Sequence, residues 1–323
     1  MALASACVLS ATIPALAAQA PTGDDPAPSY PSRPIRLIVP FPPGGSNDIL
    51  ARLLGQSLTE RLGRQVVIDN RAGAEGVIGT ELAARAGPDG HTLLLASAAF
   101  AANPAVRKVA YDPAKSFVWA GMLGYGPSLL SVHPGLPVTS VKELQAYGKA
   151  NPNKLTMATS GGYAGFASYS FRHASGIDML VVVYKGGFPA MMDVIGGQAQ
   201  VNLGSIVQAI GQARAGKLKG LATSGTKRAS AMPELPTIAE AGIPGYEANN
   251  WWAVAAPAGT PAPVVAKLSR EIERFVKLPE TQKRFVADGA EADFRGTEQM
   301  RKLIPLEMAR WAKVAKTANI QAQ

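Results

Sequence analysis

The fold is decided by the stretch Val39-Pro40-Phe41-Pro42-Pro43-Gly44-Gly45-Ser46-Asn47-Asp48. The apolar run that leads into it, residues 35–40, predicts a short buried strand. The leucines that follow it recur on one face of a predicted helix ending near residue 62. In parallel α/β sheets, ligands bind beyond the carboxyl ends of the strands. The stretch therefore predicts an α/β fold and the place of a binding site.

The loop at the centre of this stretch has two interpretations. Gly44 and Gly45 let the backbone approach a ligand with no Cβ in the way, and free N–H groups in a first helical turn bind anions. Ser46 can donate its hydroxyl to a carboxylate, and Asp48 can face a ligand. The alternative is a plain turn in which Ser46 or Asn47 is the N-cap and Asp48 only stabilises the helix dipole.

Three further loops rich in Gly or Ser follow predicted strands. Thr159-Ser-Gly-Gly-Tyr163 and Tyr184-Lys-Gly-Gly187 each lie between a strand and a helix, and residues 97–104 follow the strand at 92–96. Such loops in both halves of the chain predict a cleft lined from two sides. The candidate ligand-binding residues are Pro43, Gly44, Gly45, Ser46, Asp48, Ser97, Ser160, Gly161, Gly162, Tyr163, Lys185, Gly186, Gly187 and Ser205.

Strands and helices alternate along the chain with short loops between them, which predicts parallel-rich sheets flanked by helices. The predicted strands are residues 35–40, 65–69, 92–96, 155–159, 179–184, 199–203 and 218–223. The predicted helices are residues 49–62, 77–86, 166–174, 188–195, 206–215, 264–276, 281–288 and 298–318, with another begun by the capping box Ser140-Val-Lys-Glu143.

These elements form two blocks, so we expect an α/β fold with two lobes and a ligand cleft between them. The C-terminal helices should pack back on the first lobe, with crossings near residues 124–128 and 252–257. The predicted domains are a signal peptide (1–20), a disordered leader (21–32), lobe 1 (33–126 plus 253–323) and lobe 2 (127–252).

The formal net charge of the 323-residue chain is +9. A basic balance can indicate nucleic acid or membrane lipid, or a solvated surface that mildly favours anions. The basic residues are spread along the chain, and no stretch combines them with aromatic residues as a nucleic-acid footprint would. We therefore expect no nucleic-acid partner.

The N-terminal residues 1–18 contain no charge and end in Ala15-Leu16-Ala17, a small-x-small pattern typical of a signal-peptide cleavage site. The alternative is a short apolar helix; prolines follow too closely for a membrane span. The only cysteine, Cys7, lies in this segment. The mature chain should therefore lack disulfides and cysteine metal sites.

Enzyme signatures are incomplete. Gly211 to Lys217 resembles a P-loop, but Leu218 stands where Ser or Thr must hold magnesium. G-x-S-x-G and G-x-G-x-x-G are absent from the sequence. The three histidines are far apart, without metal-ligand spacing, so we expect neither catalysis nor a metal or other cofactor. Trp251 and Trp252 have two interpretations: they form an aromatic wall of the cleft, or their role is structural.

The chain closely resembles the Bug family, the extracytoplasmic receptors of tripartite tricarboxylate transporters. The resemblance extends from Tyr30 to about Ile320 and rests on motifs that occur in order. They are Tyr30-Pro-Ser-Arg-Pro-Ile-Arg, Val39-Pro-Phe-Pro-Pro-Gly-Gly45 with Asp48, Asp69-Asn-Arg-Ala-Gly73, Ile78-Gly79, Pro88-Asp-Gly-His-Thr-Leu93, Tyr111-Asp112, Tyr184-Lys-Gly-Gly187, Gly216-Lys-Leu218, Leu235-Pro-Thr237, Glu240-Ala-Gly242, Pro244-Gly-Tyr-Glu247 and Ala256-Pro-Ala-Gly-Thr-Pro261.

The resemblance implies a type II-like periplasmic binding fold whose cleft closes on small carboxylates, held by backbone amides, hydroxyls and waters. It matches the loop at Pro43 to Ser46 with one ligand loop and Ser160 to Gly162 with another. The sequence departs from the family pattern at residues 181–183, at Ala72, at Glu75 where a Gly is usual, and in a shortened loop at 160–165. These departures bear on ligand size and charge.

We therefore expect a periplasmic, monomeric solute-binding protein that captures a small carboxylate, such as a mono-, di- or tricarboxylate or a related aromatic acid or amide, by hinge closure. Its second partner would be the membrane subunits of a tripartite tricarboxylate-type transporter. Two alternatives remain at this point. One is a ligand sensor that presents its closed form to a signalling receptor, and the other is a periplasmic hydrolase with an unrecognised Ser–His–Asp set.

Overall fold

The computed structural model describes Asp25 and residues 27–320. The predicted signal peptide lies outside the described residues, as does most of the predicted leader. Within the described part, the strands are β1 (Ile35–Val39), β2 (Val66–Asn70), β3 (Thr92–Ser97), β4 (Phe117–Val132), β5 (Thr156–Thr159), β6 (Leu180–Val183), β7 (Val201–Ser205), β8 (Lys219–Thr223), β9 (Asn249–Pro257) and β10 (Glu291–Arg295).

Helices flank these strands on both faces, and buried apolar side chains fill the space between them. The helices are α1 (Ser46–Leu62), α2 (Val77–Ala84), α3 (Ala99–Ala102), α4 (Val141–Ala150), α5 (Gly162–Ser175), α6 (Gly187–Ile195), α7 (Ile206–Arg214), α8 (Ala262–Lys277), α9 (Pro279–Ala287) and α10 (Thr297–Thr317). None of the helices in this part of the chain combines the length and apolar character needed to cross a bilayer.

The first sheet has the strand order β2-β1-β3-β9-β4-β10. β1 pairs in parallel with β2 and β3, whereas β9 is antiparallel to β3 and β4. The second sheet has the order β6-β5-β7-β4-β8, with β5 parallel to β6 and β7. Both sheets are thus mixed, and the parallel strands of each are followed by the loops predicted to bind a ligand.

Strand β4 belongs to both sheets. Over residues 117–127 it pairs with β9, and over residues 128–132 it lies between β7 and β8. A single strand of 16 residues therefore connects the two lobes. Strand β9 runs antiparallel beside it, with Asn250 opposite Gly126. Two extended strands side by side connect the lobes without a coiled linker, which is compatible with closure by small changes in backbone angles at element ends.

The strand and helix predictions are confirmed for the βα units on both sides of the cleft. Strands β4, β9 and β10 were not foreseen, because β4 and β9 are buried on both faces and show no polar alternation. Helix α5 begins at Gly162, earlier than the predicted residue 166. The proposed domain limits remain predictions.

Helix α8 packs against α1 and β4, and α10 packs against α3, β4 and α5. The Trp311 ring lies edge-on to Tyr163 and Phe166 of α5, with centroids 5.6 and 5.7 Å apart. Its indole nitrogen donates to Glu307, which also accepts from Trp251 of β9. This aromatic cluster holds α5 at the junction of the lobes. The candidate loop Ser160–Gly162 leads into the first turn of this helix.

Gly124 of β4 faces β10 so closely that a Cβ there would overlap the Glu291 carbonyl and approach Phe285 to 2.8 Å. We predict that Gly124→Val lowers the free energy of unfolding by about 1–3 kcal/mol, the usual cost of overpacking. Urea unfolding followed by circular dichroism measures this.

Gly211, inside α7, is the matched control, because a Cβ added there would meet no atom within 4 Å. Gly211→Ala should raise the free energy of unfolding by about 0.5–1 kcal/mol, because alanine favours the helix. A Gly124→Val protein as stable as the wild type would show that β10 is not held tightly against the shared strand.

Candidate functional site

A cavity lies between the two sheets, at the carboxyl ends of β1, β3, β5 and β7. The cavity is small, with a volume of about 70 Å³. The residues that line it are Phe41, Pro42, Pro43, Gly45, Ser46, Asn47, Ser97, Ala99, Ser160, Gly161, Tyr163, Ala164, Gly186, Gly187, Phe188, Asn202, Leu203, Gly204, Ser205, Gln208 and Asn250.

Four helices begin at this cavity: α1, α5, α6 and α7. Their N-cap residues are Gly45, Gly161, Gly186 and Ser205, all of which line the cavity. None of the four N-caps accepts a side-chain capping hydrogen bond from its own helix. The first N–H groups of a helix have no partner within the helix and carry partial positive charge. The cavity is therefore surrounded by the positive ends of helices from both lobes.

Two of these glycines are required by geometry. Gly161 has φ +68°, a left-handed conformation that L side chains rarely adopt. Gly186 has φ +135°, and a Cβ there would lie 3.0 Å from Pro42 Cγ in the opposite lobe. The glycines thus allow the backbones of two lobes to approach each other across the cavity.

Asn47 presents a buried donor to the cavity. Its side chain is only 5% exposed, and its Oδ1 accepts from the Trp252 indole nitrogen at 3.2 Å. Because an indole N–H can only donate, the amide oxygen must face Trp252 and the amide nitrogen must face away. That nitrogen, Nδ2, has no hydrogen-bond partner among the described residues. A buried N–H without a partner is costly and is normally satisfied, here by a ligand or water.

Ser205 supplies a second buried polar atom of this kind. It lies at the end of β7, and its Oγ is buried and has no hydrogen-bond partner in the described chain. Two asparagines at the cavity each have one amide atom engaged within the protein. Asn250 Oδ1 accepts from the Ala98 amide at 3.1 Å, and Asn202 Nδ2 donates to the Ala158 carbonyl at 2.8 Å. Asn47 and Ser205 are thus buried side chains left to bond with an occupant.

The described residues that line the cavity include no Asp, Glu, Lys, Arg or His. The one ionisable residue among them is Tyr163, whose hydroxyl lies 3.2 Å from Ser128 Oγ. Burial raises the pKa of this phenol well above its ordinary value, so it stays neutral. The electrostatic character of the cavity therefore comes from backbone dipoles and neutral donors.

Asp48 lies beneath the Phe41–Gly44 turn instead of in the cavity. Its carboxylate accepts from the Gly44 amide at 3.0 Å, from Arg52 through two nitrogens, and from Asn70 Nδ2. Asn70 also donates to the Phe41 carbonyl. The carboxylate thus ties both ends of the turn to α1 and β2. Burial opposes ionisation, but the hydrogen bonds from Arg52, Gly44 and Asn70 hold the pKa of Asp48 below its ordinary value of 3.8.

Most of the predicted site residues meet at the cavity. Those that line it are Pro43, Gly45, Ser46, Ser97, Ser160, Gly161, Tyr163, Gly186, Gly187 and Ser205. Those that do not line it are Gly44, Asp48, Gly162 and Lys185. Gly44 and Gly162 use their N–H groups inside the protein, toward Asp48 and Glu75 respectively. Neither Ser46 nor Asn47 is the N-cap of α1, because Gly45 takes that position.

Several lining residues were not foreseen, including Asn47, Phe188, Asn202, Gln208 and Asn250. Phe188 follows Gly187 directly, so extending each Gly-rich loop by one residue into its helix would have found it. Asn202 and Asn250 lie inside strands that pair with β4, which the sequence pattern did not reveal.

Trp251 and Trp252 do not line the cavity and are buried behind it, so their role is structural. Two of the histidines also lie elsewhere: His91 packs against Tyr30, and His133 Nδ1 accepts from the Gly135 amide of its own turn. In the described part of the chain, no group of three or more His, Cys, Asp or Glu side chains is placed to hold a metal ion.

The tripartite tricarboxylate transporter family receptor model matches residues 50–320, most of the chain. The chain belongs to this receptor family. BugT of Bordetella pertussis is 36% identical over 295 residues, covering 90% of each chain. The resemblance drawn from the sequence motifs is thus confirmed.

Several solved structures share the fold of this chain. A protein of R. palustris solved with adipate is 35% identical, with a TM-score of 0.88 over 90% of this chain and 99% of that one. MatC from Rhodopseudomonas palustris, with bound malate, is 30% identical, with a TM-score of 0.81 over 88% and 99%. The periplasmic binding protein BugD is 34% identical with a TM-score of 0.87, covering 91% of this chain and all of that one. The predicted two-lobed α/β binding-protein fold is confirmed.

Asp48→Asn should destabilise the receptor by about 2 kcal/mol near neutral pH, because it weakens charge-assisted hydrogen bonds to Gly44 and Arg52. The wild-type pKa is lowered by folding, so this stabilisation is present above the unfolded pKa and is lost as the pH falls through the folded pKa. The difference between the two proteins should therefore shrink toward acid pH. Urea unfolding at several pH values measures it.

Asp178→Asn is the matched control, since Asp178 forms an exposed pair with Arg172 at 3.3 Å. Exposed pairs contribute little, so this variant should match the wild type within about 0.5 kcal/mol. A pH-independent difference for Asp48→Asn would contradict the charge-based role of Asp48.

Proposed function

We propose that this receptor binds a small carboxylate in the cavity between its lobes and closes around it. The observation that carries the proposal is the convergence of the N-termini of α1, α6 and α7 and of two unpartnered buried polar groups, Asn47 Nδ2 and Ser205 Oγ, on one small cavity. A carboxylate accepts hydrogen bonds on two oxygens and is favoured by the positive ends of helices. It is the occupant that would satisfy these groups.

The binding would depend on hydrogen bonds to a charged acceptor. Each such bond contributes about 1.5–3 kcal/mol when the donor is already in place. Asn47 is held by Trp252, and the α1 loop is held by Asp48, so these groups lose little conformational freedom on binding. Because the described residues that line the cavity include no lysine or arginine, fixed dipoles would replace the counter-ion.

The two lobes already approach each other closely at the rims of the cavity. A Cβ on Gly44 of the first lobe would lie 3.7 Å from the Phe188 ring of the second, and one on Gly186 would meet Pro42. The rims of the cavity are therefore in contact, and strands β4 and β9 are the connections that could flex. Opening along these strands would admit the ligand, and closing would remove it from water.

Similar receptors support a carboxylate ligand, since one of them holds adipate and another malate. We propose that the closed form then delivers its ligand to membrane subunits of a tripartite tricarboxylate-type transporter. We also propose that the receptor acts as a monomer in the periplasm, to which the predicted signal peptide would direct it. Lobe 1 would be formed by residues 33–126 plus 253–323, and lobe 2 by residues 127–252.

We further propose that the receptor does not catalyse a reaction. Serines 46, 97, 160 and 205 line the cavity, but none of the described lining residues is a histidine or carboxylate able to serve as a general base. The Ser–His–Asp alternative therefore has no support from the arrangement of the site.

Asn47→Asp tests the site directly. Aspartate keeps an oxygen for Trp252 but replaces the free donor with a negative charge, so carboxylate affinity should fall by about a hundredfold or more. Isothermal titration calorimetry with a panel of small mono-, di- and tricarboxylates measures this. Gly45→Leu should also abolish binding, because the leucine side chain would fill the cavity that Gly45 lines. The backbone accepts this change, since the φ of Gly45 is −80°, a value that any residue adopts.

The controls make the same changes on the surface. Asn153→Asp alters an exposed residue, and Gly87→Leu adds a side chain where no atom lies within 4 Å of a new Cβ. Both should bind as the wild type does. If Asn47→Asp binds the same acid with unchanged affinity, or if the wild type binds none of the panel, the proposed function is wrong.

A further inference from the structure

Glu75 adopts an unusual backbone conformation at the junction of the lobes. Its φ is +56°, and Ala74 before it has φ +44°, values that favour glycine. Asn103, which is 1% exposed, donates from Nδ2 to the Glu75 carbonyl at 3.1 Å. The backbone at Glu75 is therefore held in a conformation that points its side chain in a fixed direction.

The Glu75 side chain reaches from the first lobe to the second. Its Oε2 accepts from the Gly162 amide, the first N–H of α5, at 2.5 Å. The same oxygen lies 3.1 Å from Arg107 Nη2, and the two side chains are only 14% and 12% exposed. The Glu75 carboxylate, ion-paired with Arg107, thus sits at the N-terminus of one of the four helices that face the cavity.

The carboxylate also borders the cavity through Gly161. A Cβ on Gly161, which lines the cavity, would overlap the Glu75 carboxyl group. By contrast, Asn47 and Ser205, which have unpartnered buried polar atoms, belong to α1 and to the N-cap of α7. The cavity therefore has one part that favours an anion and another, beside Gly161, where the Glu75 carboxylate already occupies the N-terminus of α5.

We propose that Glu75 is a specificity-determining residue that restricts the receptor to acids with a single carboxylate. The ligand carboxylate would bind near Asn47 and Ser205, and the far end of the ligand, toward Gly161 and α5, would be neutral or a hydrogen-bond donor. A second carboxylate there would meet the like charge of Glu75 and find the Gly162 amide already bonded. This inference rests on the proposed carboxylate-binding function.

The test compares diacids with their monoamides, which have the same length but one charge fewer. Succinate and succinamate, and adipate and adipamate, are titrated into the wild type and Glu75→Gln by isothermal titration calorimetry. Glutamine keeps an oxygen for the Gly162 amide, and it removes the charge together with the ion pair to Arg107. We expect the wild type to prefer the monoamide by about tenfold or more, and Glu75→Gln to lose most of that preference.

Glu81→Gln is the matched control, because Glu81 also accepts a backbone amide, from Ala110 at 2.8 Å, and pairs with Arg85, away from the cavity. It should keep the wild-type preference. If Glu75→Gln does not fold, Glu75→Asp takes its place, because its shorter side chain should weaken the preference. An unchanged preference in Glu75→Asp would overturn the role of Glu75.

Two negative results have different meanings. Binding of none of the four compounds and of no acid in the wider panel of mono-, di- and tricarboxylates by the wild type would overturn the proposed function itself. Tight binding of a diacid by the wild type, equal to or stronger than its monoamide, would overturn the role of Glu75 alone. The same conclusion follows if the preference persists unchanged in a folded Glu75→Gln protein.

Discussion

The helix N-termini that face the cleft impose the constraint on which the site depends. The first N–H groups of a helix find no carbonyl within the helix, and they must be satisfied by side chains, water or a ligand. A side chain can satisfy one of these groups, as Ser140 does at the start of α4. At α1, α6 and α7 the N-cap residue provides none. Placing several such ends around one small cavity makes a site for an anion that needs no cationic side chain.

The rest of the site serves to hold these ends in position. Asp48 fixes the turn before α1, Trp252 fixes the amide of Asn47, and Asn250 fixes the start of α3 through the Ala98 amide. These groups lie outside the cavity or have their polar atoms engaged within the protein. A donor that is already oriented loses little freedom when a ligand arrives, so the interior hydrogen bonds contribute to affinity although they never touch the ligand.

Much of the fold and part of the site follow from local sequence patterns. Apolar runs ending in Gly-rich loops predicted β1, β5 and β6 and the helices after them, because strand and helix periodicity and turn residues are local properties. Strand β4 could not be predicted, since burial on both faces and its glycines remove the alternation that marks a strand. The position of Asn250 and the contact between Glu75 and Gly162 depend on how β4 and β9 bring distant segments together. Such contacts have no local signal.

Native mass spectrometry of the receptor purified from periplasmic extract, followed by denaturation, tests the central claim most directly. The released molecule should be a small organic acid bound in a one-to-one ratio, and denatured protein should retain none of it. A released acid would show that the cavity selects an anion, as the helix N-termini require. A neutral sugar or a cationic amine bound in the same ratio would contradict that claim, because neither satisfies a cavity surrounded by the positive ends of helices.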